Sequence, residues 1–488
     1  MKNIEIQNAE VVAWAKDYAE KIKRGEAQPF HALLCDPPYH LVSISKPFGN
    51  TEQVREDYAN RTATINPYAR LSKRGFMGKT WDGGDVAFSP ETWAAFSEIM
   101  HDGAFGMAFA STRGWHRQAV AIEDAGFIIH PVIMCWFFGS GFPKATRIDT
   151  QVDKAAGAVR EIVGEIKRGS VADAKARGAS YLADPANRNN KACFGYGTEQ
   201  ITAPATDIAR AWQGHRYGLQ ALKPALEPII VFQKPYRGKP FRNIVDTGAG
   251  ALNIGASRIG SEKVRTAAHK DLGTNGIYNH SKPFPESETR DGRWASNFVM
   301  TCPPDCVGDN HAEHCPAYLL DSKAQEIGDV SRFFFQSQYD ALESSDPVFY
   351  TPKAGRYEKD AGLDGMPEIK HAEYGDFAGT PEHASNQNGK QLNPHPTVKP
   401  LALTRYLSTI LLPPDMYAPR RLFVPFAGVA SEIIGAYQAG WDEVIGVEMT
   451  EEYIGVAQAR IDYWSNNQNN RAATSKDTTN DIYIANLF

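Results

Sequence analysis

An α/β fold built on a parallel sheet is the class this sequence predicts, and three observations predict it. Strand-like and helix-like segments alternate through residues 1–143. The same alternation returns over 392–488, while 144–391 between them is irregular and rich in Gly, Pro, Asn and charge. Alternating β and α units favour a parallel sheet covered by helices. At 488 residues the chain is long enough for two or three domains at the usual size of roughly 150 residues.

The elements follow from local signals. Ser89, Pro90 and Glu91 open a helix that Gly103 is expected to close, and Gly114 and Gly126 bracket another. Apolar runs at 105–110 and 130–138 read as strands. Near the other end, a helix over 401–412 is stopped by Pro413 and Pro414, a strand covers 422–424, and a helix ends near Gly440. A strand over 444–447 follows. A last helix starts at Thr450, with Glu451 and Glu452 in the first turn, where the macrodipole favours acids.

Composition removes several classes. With 42% apolar, 11% aromatic and 22% charged residues, the chain is neither a disordered tail, a coiled coil nor collagen. No apolar run approaches the roughly 18 residues of a membrane helix, and MKNIEIQNAE lacks the basic and apolar regions of a signal peptide. A cytosolic location is expected, with the six cysteines reduced. The net charge of -5 argues against a nucleic-acid partner until it is divided. Residues 144–270 hold 21 Lys and Arg against 11 Asp and Glu, a net of +10 that leaves -15 elsewhere. This basic stretch also carries Trp212, Tyr217, Tyr236 and Phe241, a combination that suits phosphate and bases. A solvated face of mixed charge is the alternative.

The sharpest local feature is Asp36-Pro37-Pro38-Tyr39 after the apolar run 31–35. A strand ending in this tetrapeptide sets a rigid turn at the carboxyl edge of a sheet, where open α/β proteins bind ligands. Two prolines donate no backbone hydrogen bonds, so carbonyl oxygens and the Asp carboxylate are left as acceptors beside an aromatic face. An exocyclic amino group on a flipped base needs those features. An ordinary proline turn is the alternative.

The tetrapeptide resembles the catalytic motif of DNA amino-methyltransferases, which methylate adenine N6 or cytosine N4 from S-adenosylmethionine. Further segments agree in order: Gly78-Lys79-Thr80-Trp81-Asp82-Gly83, Thr112-Arg113, His116-Arg117, and 121–127 ending in Gly126-Phe127. They continue with Gly139-Ser140-Gly141-Phe142-Pro143-Lys144, Ala221-Leu222-Lys223-Pro224-Ala225-Leu226-Glu227-Pro228 and Gly248-Ala249-Gly250-Ala251-Leu252-Asn253. His395-Pro396-Thr397-Val398-Lys399-Pro400 then leads into the expected cofactor strand. Together they look like the phage and prophage type of DNA methylase, with the catalytic motif before the cofactor motif as in the family's β arrangement.

The resemblance implies a Rossmann-like S-adenosylmethionine-dependent methyltransferase sheet assembled from both chain ends. Residues 1–143 would form the catalytic half, 144–391 a target-recognition insert, and 392–488 the cofactor-binding half. It implies double-stranded DNA as partner, no membrane, and the cytoplasm of a bacterium or phage-infected cell. A homodimer is compatible with it, and no nuclease domain is seen.

The cofactor segment is a strand, a turn of small residues and a helix, Leu422 to Glu432. Such a turn lets backbone approach a ligand, and the helix start supplies free amides. Glu448, ending the next strand, suits ribose hydroxyls. The family pattern is Asp-Pro-Phe-x-Gly-Ser-Gly-Thr, and this chain has Val424, Pro425, Phe426, Ala427, Gly428, Val429, Ala430 and Ser431. Ala430 does not freely take positive φ and Val424 binds no polar group, so a degenerate site is the alternative. The likeness places Phe426, Gly428, Ala430 and Glu448 on the cofactor, with Lys399 facing its carboxylate and Asn8 and Ala9 bordering its adenine.

A separate cluster comprises Cys302, Cys306, His311, His314 and Cys315. Three thiolates and one imidazole could hold a structural Zn²⁺ in a tetrahedral site, although the spacing is not a CxxC pair. Reduced loop cysteines are the alternative, while Cys35, Cys135 and Cys193 read as buried small hydrophobes. The sequence thus points to N6-adenine methylation of DNA. Cytosine N4 methylation, and a catalytically degenerate DNA-binding protein, are the rival readings.

Overall fold

The computed structural model describes residues 3–40, 85–137, 144–168, 197–222, 225–265, 289–294, 296–301, 313, 315–323, 335–337, 356–366, 392–395 and 397–474. The chain forms two compact units. One comprises 1–138, 226–340 and 397–488, the other 139–225 and 341–396. Within the expected insert 144–391, residues 226–340 therefore group with the two chain ends. Tyr236 and Phe241, expected on a basic insert, lie in that first unit, as does the exposed helix Pro240–Thr247.

The first unit is organised by one sheet of mixed direction. Its principal strands are β1 (Asn3–Asn8), β2 (Phe30–Cys35), β3 (Met100–Phe109), β4 (Met134–Phe137), β5 (Leu226–Gln233), β6 (Phe298–Thr301), β7 (Phe335–Ser337), β8 (Arg421–Pro425) and β9 (Glu443–Glu448). The order is β1-β9-β8-β2-β3-β5-β4-β6-β7, with the short pair Ile128–Ile129 also on β5. Neighbours from β1 to β3 run parallel, while β5 is antiparallel to both β3 and β4. The α/β class is therefore as expected, and its mostly parallel sheet draws on both ends of the chain.

Helices cover both faces, and the strands alternate between them with period two. Ala32, Leu34, Leu422 and Val424 pack toward α4 (Leu401–Leu411) and α5 (Ser431–Ala439). Leu33, Cys35 and Phe423 pack toward α1 (Val11–Lys23), α2 (Pro90–Glu98) and α3 (Trp115–Asp124). All six residues of β2 are buried because both of its faces are covered. Each large apolar side chain sequestered there stabilises the fold by about 1.5–3 kcal/mol. The last helix, α6 (Glu451–Thr474), carries Glu451 and Glu452 in its first turn as expected.

Several expectations need correction. The helix opened by Ser89 and Pro90 ends at Glu98, and Gly103 lies inside β3. There the pairing with β2 skips from Met100 to Phe105 opposite Phe30 and Ala32. The extra residues loop out, and Gly103 takes φ +81° with its amide donating to Lys234 O at 3.1 Å. The expected strand 130–138 is shorter, ending in Met134–Phe137. β5 departs from the parallel direction of its sheet, and its charged and proline-bearing start, Leu226-Glu227-Pro228, interrupts the strand periodicity by which it would be read.

The second unit contains the pairs Lys144–Arg147 with Arg216–Gln220 and Ile162–Arg168 with Gly197–Thr202. Arg160 links buried Asp149 and Asp153, and Asp153 also accepts from the amides of Ala205 and Thr206 at 2.9 and 3.0 Å. Trp212 and Tyr217 are exposed on this unit. Among the described residues, no helix is long and apolar enough to cross a membrane.

Candidate active site

β2 delivers Asp36 to the carboxyl edge of the sheet, and Pro37 and Pro38 are buried behind it. Three other segments converge there. Lys399, just before α4, is almost fully buried. Its Nζ donates to Asp36 Oδ2 at 2.8 Å and to Tyr39 OH at 3.0 Å. Glu227 Oε2 lies 3.3 Å from the same ammonium and accepts from Tyr39 OH at 3.0 Å. The ammonium also sits 4.7 Å from the centre of the Phe109 ring.

Strand direction explains the presence of Glu227. β5 runs antiparallel to β3 with Ile229 opposite Phe109, so the beginning of β5 reaches the edge where β2 and β3 end. Ala110 N donating to Pro228 O at 3.0 Å extends that pairing. Pro228 itself donates nothing to the ladder. A fourth charged group, Glu432, lies buried in the first turn of α5.

The cluster is electrostatically uneven. Burial pushes the Asp36 carboxyl up while the Lys399 ammonium pulls it down, and the net shift is upward. Burial alone would lower Lys399, yet Asp36 and Glu227 raise it above the ordinary lysine value. Burial, reinforced by Asp36, raises Glu432 to about 7. Tyr39 is held well above the usual phenol range by burial and the neighbouring carboxylates. Asp36 Oδ1 and Glu432 Oε1 are buried with no hydrogen-bond partner among the described residues. Two unpartnered carboxylate oxygens in one site suit a cationic or amino-bearing ligand.

Next to this cluster, β8 ends in a tight turn. Phe426, Gly428 and Ala430 have φ of 58°, 49° and 70°. Ala430 therefore does take the left-handed conformation that the sequence reading held against it, and its methyl is buried in the core. Val424 is part of that same core. Glu448 Oε2 accepts from Gly428 N at 2.9 Å and Oε1 from Thr450 N at 2.8 Å, so this carboxylate ties the turn to the end of β9. Asn8 Nδ2 and Ala9 N both donate to Glu448 O, at 3.0 and 3.1 Å. Asn8, Ala9, Gly428 and Glu448 thus form one strand-end constellation.

The residues expected at the catalytic and cofactor sites accordingly gather at one edge of one sheet, and Lys399 meets Asp36 there. Its ammonium is spent on Asp36, Tyr39 and Glu227. Sequence reading gave no role to Glu227 or Glu432. For Glu227 a signal existed, an acid and a proline abutting the apolar run 229–232. Glu432 resembled any acid in a first helical turn. Of the proposed zinc ligands, Cys302, Cys306, His311 and His314 lie outside the described residues, as do Gly78–Gly83 and Cys193. Cys315 is buried, and among the described residues no group of three or more His, Cys, Asp or Glu side chains is arranged to hold a metal ion.

Fold and site define an α/β chain whose mostly parallel sheet carries a cluster of three carboxyl groups and one lysine at its carboxyl edge. No protein-family model matches the chain, and no curated protein matches it. Among solved structures it is similar to M1.HpyAVI, at 10% identity and a TM-score of 0.33 over 94% of this chain and 98% of that one. It is also similar to the PvuII DNA methyltransferase (cytosine-N4-specific), at 11% identity and a TM-score of 0.35 over 96% and 92%.

Proposed function

We propose that the chain is a DNA methyltransferase that transfers a methyl group from S-adenosylmethionine to adenine N6 in double-stranded DNA. The observation that carries this reading is Asp36, an acceptor at the end of β2 with one buried unpartnered oxygen, set in Asp-Pro-Pro-Tyr beside an aromatic ring.

The residues present fit the cofactor. The left-handed turn at Phe426, Gly428 and Ala430 brings backbone close to any ligand beside β8, and Glu448, Asn8 and Ala9 border it. The unpartnered acceptors match a ligand that carries a sulfonium and an ammonium. S-adenosylmethionine, when bound, supplies a methyl group attached to positively charged sulfur. The chain's own contribution is positioning and charge. Asp36 Oδ1 and the Pro37 carbonyl accept the two amino hydrogens, and Tyr39 offers its ring to the extruded base. The amino nitrogen becomes positive as it bonds to carbon, and these acceptors favour that charge. The second unit, which begins the basic stretch and exposes Trp212 and Tyr217, would contact the duplex.

Digestion of treated DNA to nucleosides with mass detection tests the reading. Wild type is expected to produce N6-methyladenine and Asp36→Ala none. N4-methylcytosine in its place would move the assignment to cytosine. No methylated nucleoside on any DNA, or undiminished activity in Asp36→Ala, would overturn it.

A further inference from the structure

An acid paired with a lysine is a poor stabiliser of positive charge. The Asp36–Lys399 pair is neutral as a unit, yet it lies where methyl transfer would make an amino nitrogen cationic. The nitrogen gives its electron pair to the methyl carbon while the carbon–sulfur bond breaks onto sulfur. The surplus N–H proton then leaves through Asp36 to solvent. Every stage before that loss is favoured by net negative charge close to the nitrogen.

Glu227 restores that charge. Its Oε2 lies 3.3 Å from Lys399 Nζ, so the ammonium is shared between two carboxylates, and the trio is left with one negative charge. The same oxygen accepts from Tyr39 OH at 3.0 Å and so fixes the ring beside Asp36. We propose that Glu227 is a positioning residue of the methyl-transfer site, which returns through Lys399 the negative charge that the lysine cancels at Asp36 and holds the Tyr39 ring in place. The inference rests on the methyltransferase reading above.

Charge counting separates this role from simple structural support. Glu227→Gln leaves Asp36 and Lys399 neutral together, whereas Glu227→Asp keeps the trio's one negative charge. In steady-state methylation of unmethylated genomic DNA, Glu227→Gln is expected to lower kcat by about tenfold or more. Glu227→Asp, which keeps the charge but withdraws it from Tyr39, should retain more kcat than Gln and raise KM for DNA. Affinity for S-adenosylmethionine, titrated by calorimetry, should change less than about threefold in Glu227→Gln, as expected for a residue that acts on the amino group.

Unchanged kcat in Glu227→Gln overturns the proposal, as does a Glu227→Asp variant no faster than Glu227→Gln. If Glu227→Gln fails to fold, the same decision falls to Glu227→Asp, and equal kcat and KM to wild type overturns it. An active wild type with unaffected variants defeats this inference alone, whereas an inactive wild type defeats the methyltransferase reading with it.

Discussion

Asp36 and Lys399, 363 positions apart, meet as a buried ion pair with Oδ2 and Nζ at 2.8 Å. The partners come from the end of β2 and the start of α4, so the pair joins the two ends of the chain at one point of the site. Removing one member of a buried pair strands the other, which costs far more than the pair's net worth.

Lys399→Met is therefore expected to destabilise the protein by about 3–5 kcal/mol at pH 8. Without the ammonium, burial raises the Asp36 carboxyl further above its unfolded value. The folded state then holds protons that the unfolded state releases, so the deficit grows with pH. Urea unfolding at pH 5 and pH 8 checks this, and a deficit equal at the two values or larger at pH 5 contradicts it.

Glu432 sets a second pH dependence. Its folded value of about 7 exceeds the ordinary 4.5, through burial and Asp36 against the opposing pull of Lys399 and Arg460. Below pH 4.5 both folded and unfolded states carry the proton. Between 4.5 and 7 only the folded state keeps it, so stability falls as pH rises, at about 1.4 kcal/mol per pH unit. Glu432→Gln removes this loss. The variant should gain about 2–3 kcal/mol on wild type between pH 4.5 and pH 8, as read from denaturation midpoints.

At Ala430 opposing terms of similar size meet. Its φ of 70° costs about 1–2 kcal/mol, while its buried methyl contributes about 0.8 kcal/mol and its smaller unfolded-state freedom about 0.4–1 kcal/mol. Ala430→Gly is expected to lie within about 1 kcal/mol of wild type. Ala430→Val places a branched side chain at positive φ and should lose more than about 2 kcal/mol. Thermal melting of both variants distinguishes them, and equal effects would count against the left-handed assignment.

Gly435 lets α5 lie directly on α4. A Cβ there would meet Arg405 N at 2.7 Å as well as Thr404. Helix propensity alone favours Gly435→Ala by about 1 kcal/mol. The backbone contact cannot yield as a flexible side chain would, so net destabilisation of about 1–3 kcal/mol is expected. A rise in melting temperature would show that the helices separate easily.

What could be read from sequence depended on how far apart the interacting residues lie. The helices α4 and α5 and the turn between β8 and α5 carry local signals, proline stops and a small-residue run, and they were legible. Asp36 to Tyr39 was legible because its chemistry sits in four adjacent residues. The place of Glu227 in the site was not, since it depends on an antiparallel neighbour pairing Ile229 with Phe109. Lys399 was legible as a site residue, while its pairing with Asp36 was not, because only the folded sheet brings the two within 2.8 Å. Gly103 looked like a helix stop because left-handed glycine serves helix ends and strand irregularities alike.

The pairing of β1 with β9 carries a consequence for biosynthesis. Asn3 aligns with Glu443 and Asn8 with Glu448, so β1 has no neighbour in the sheet until β9, 440 residues further along, has been made. At about 5–20 residues per second that interval is roughly 20–90 s. For most of it β2, hydrophobic on both faces, also lacks β8. A nascent chain stalled before Lys399 would hold the acceptor Asp36 without its lysine and expose the apolar edge of β2 that β8 later covers.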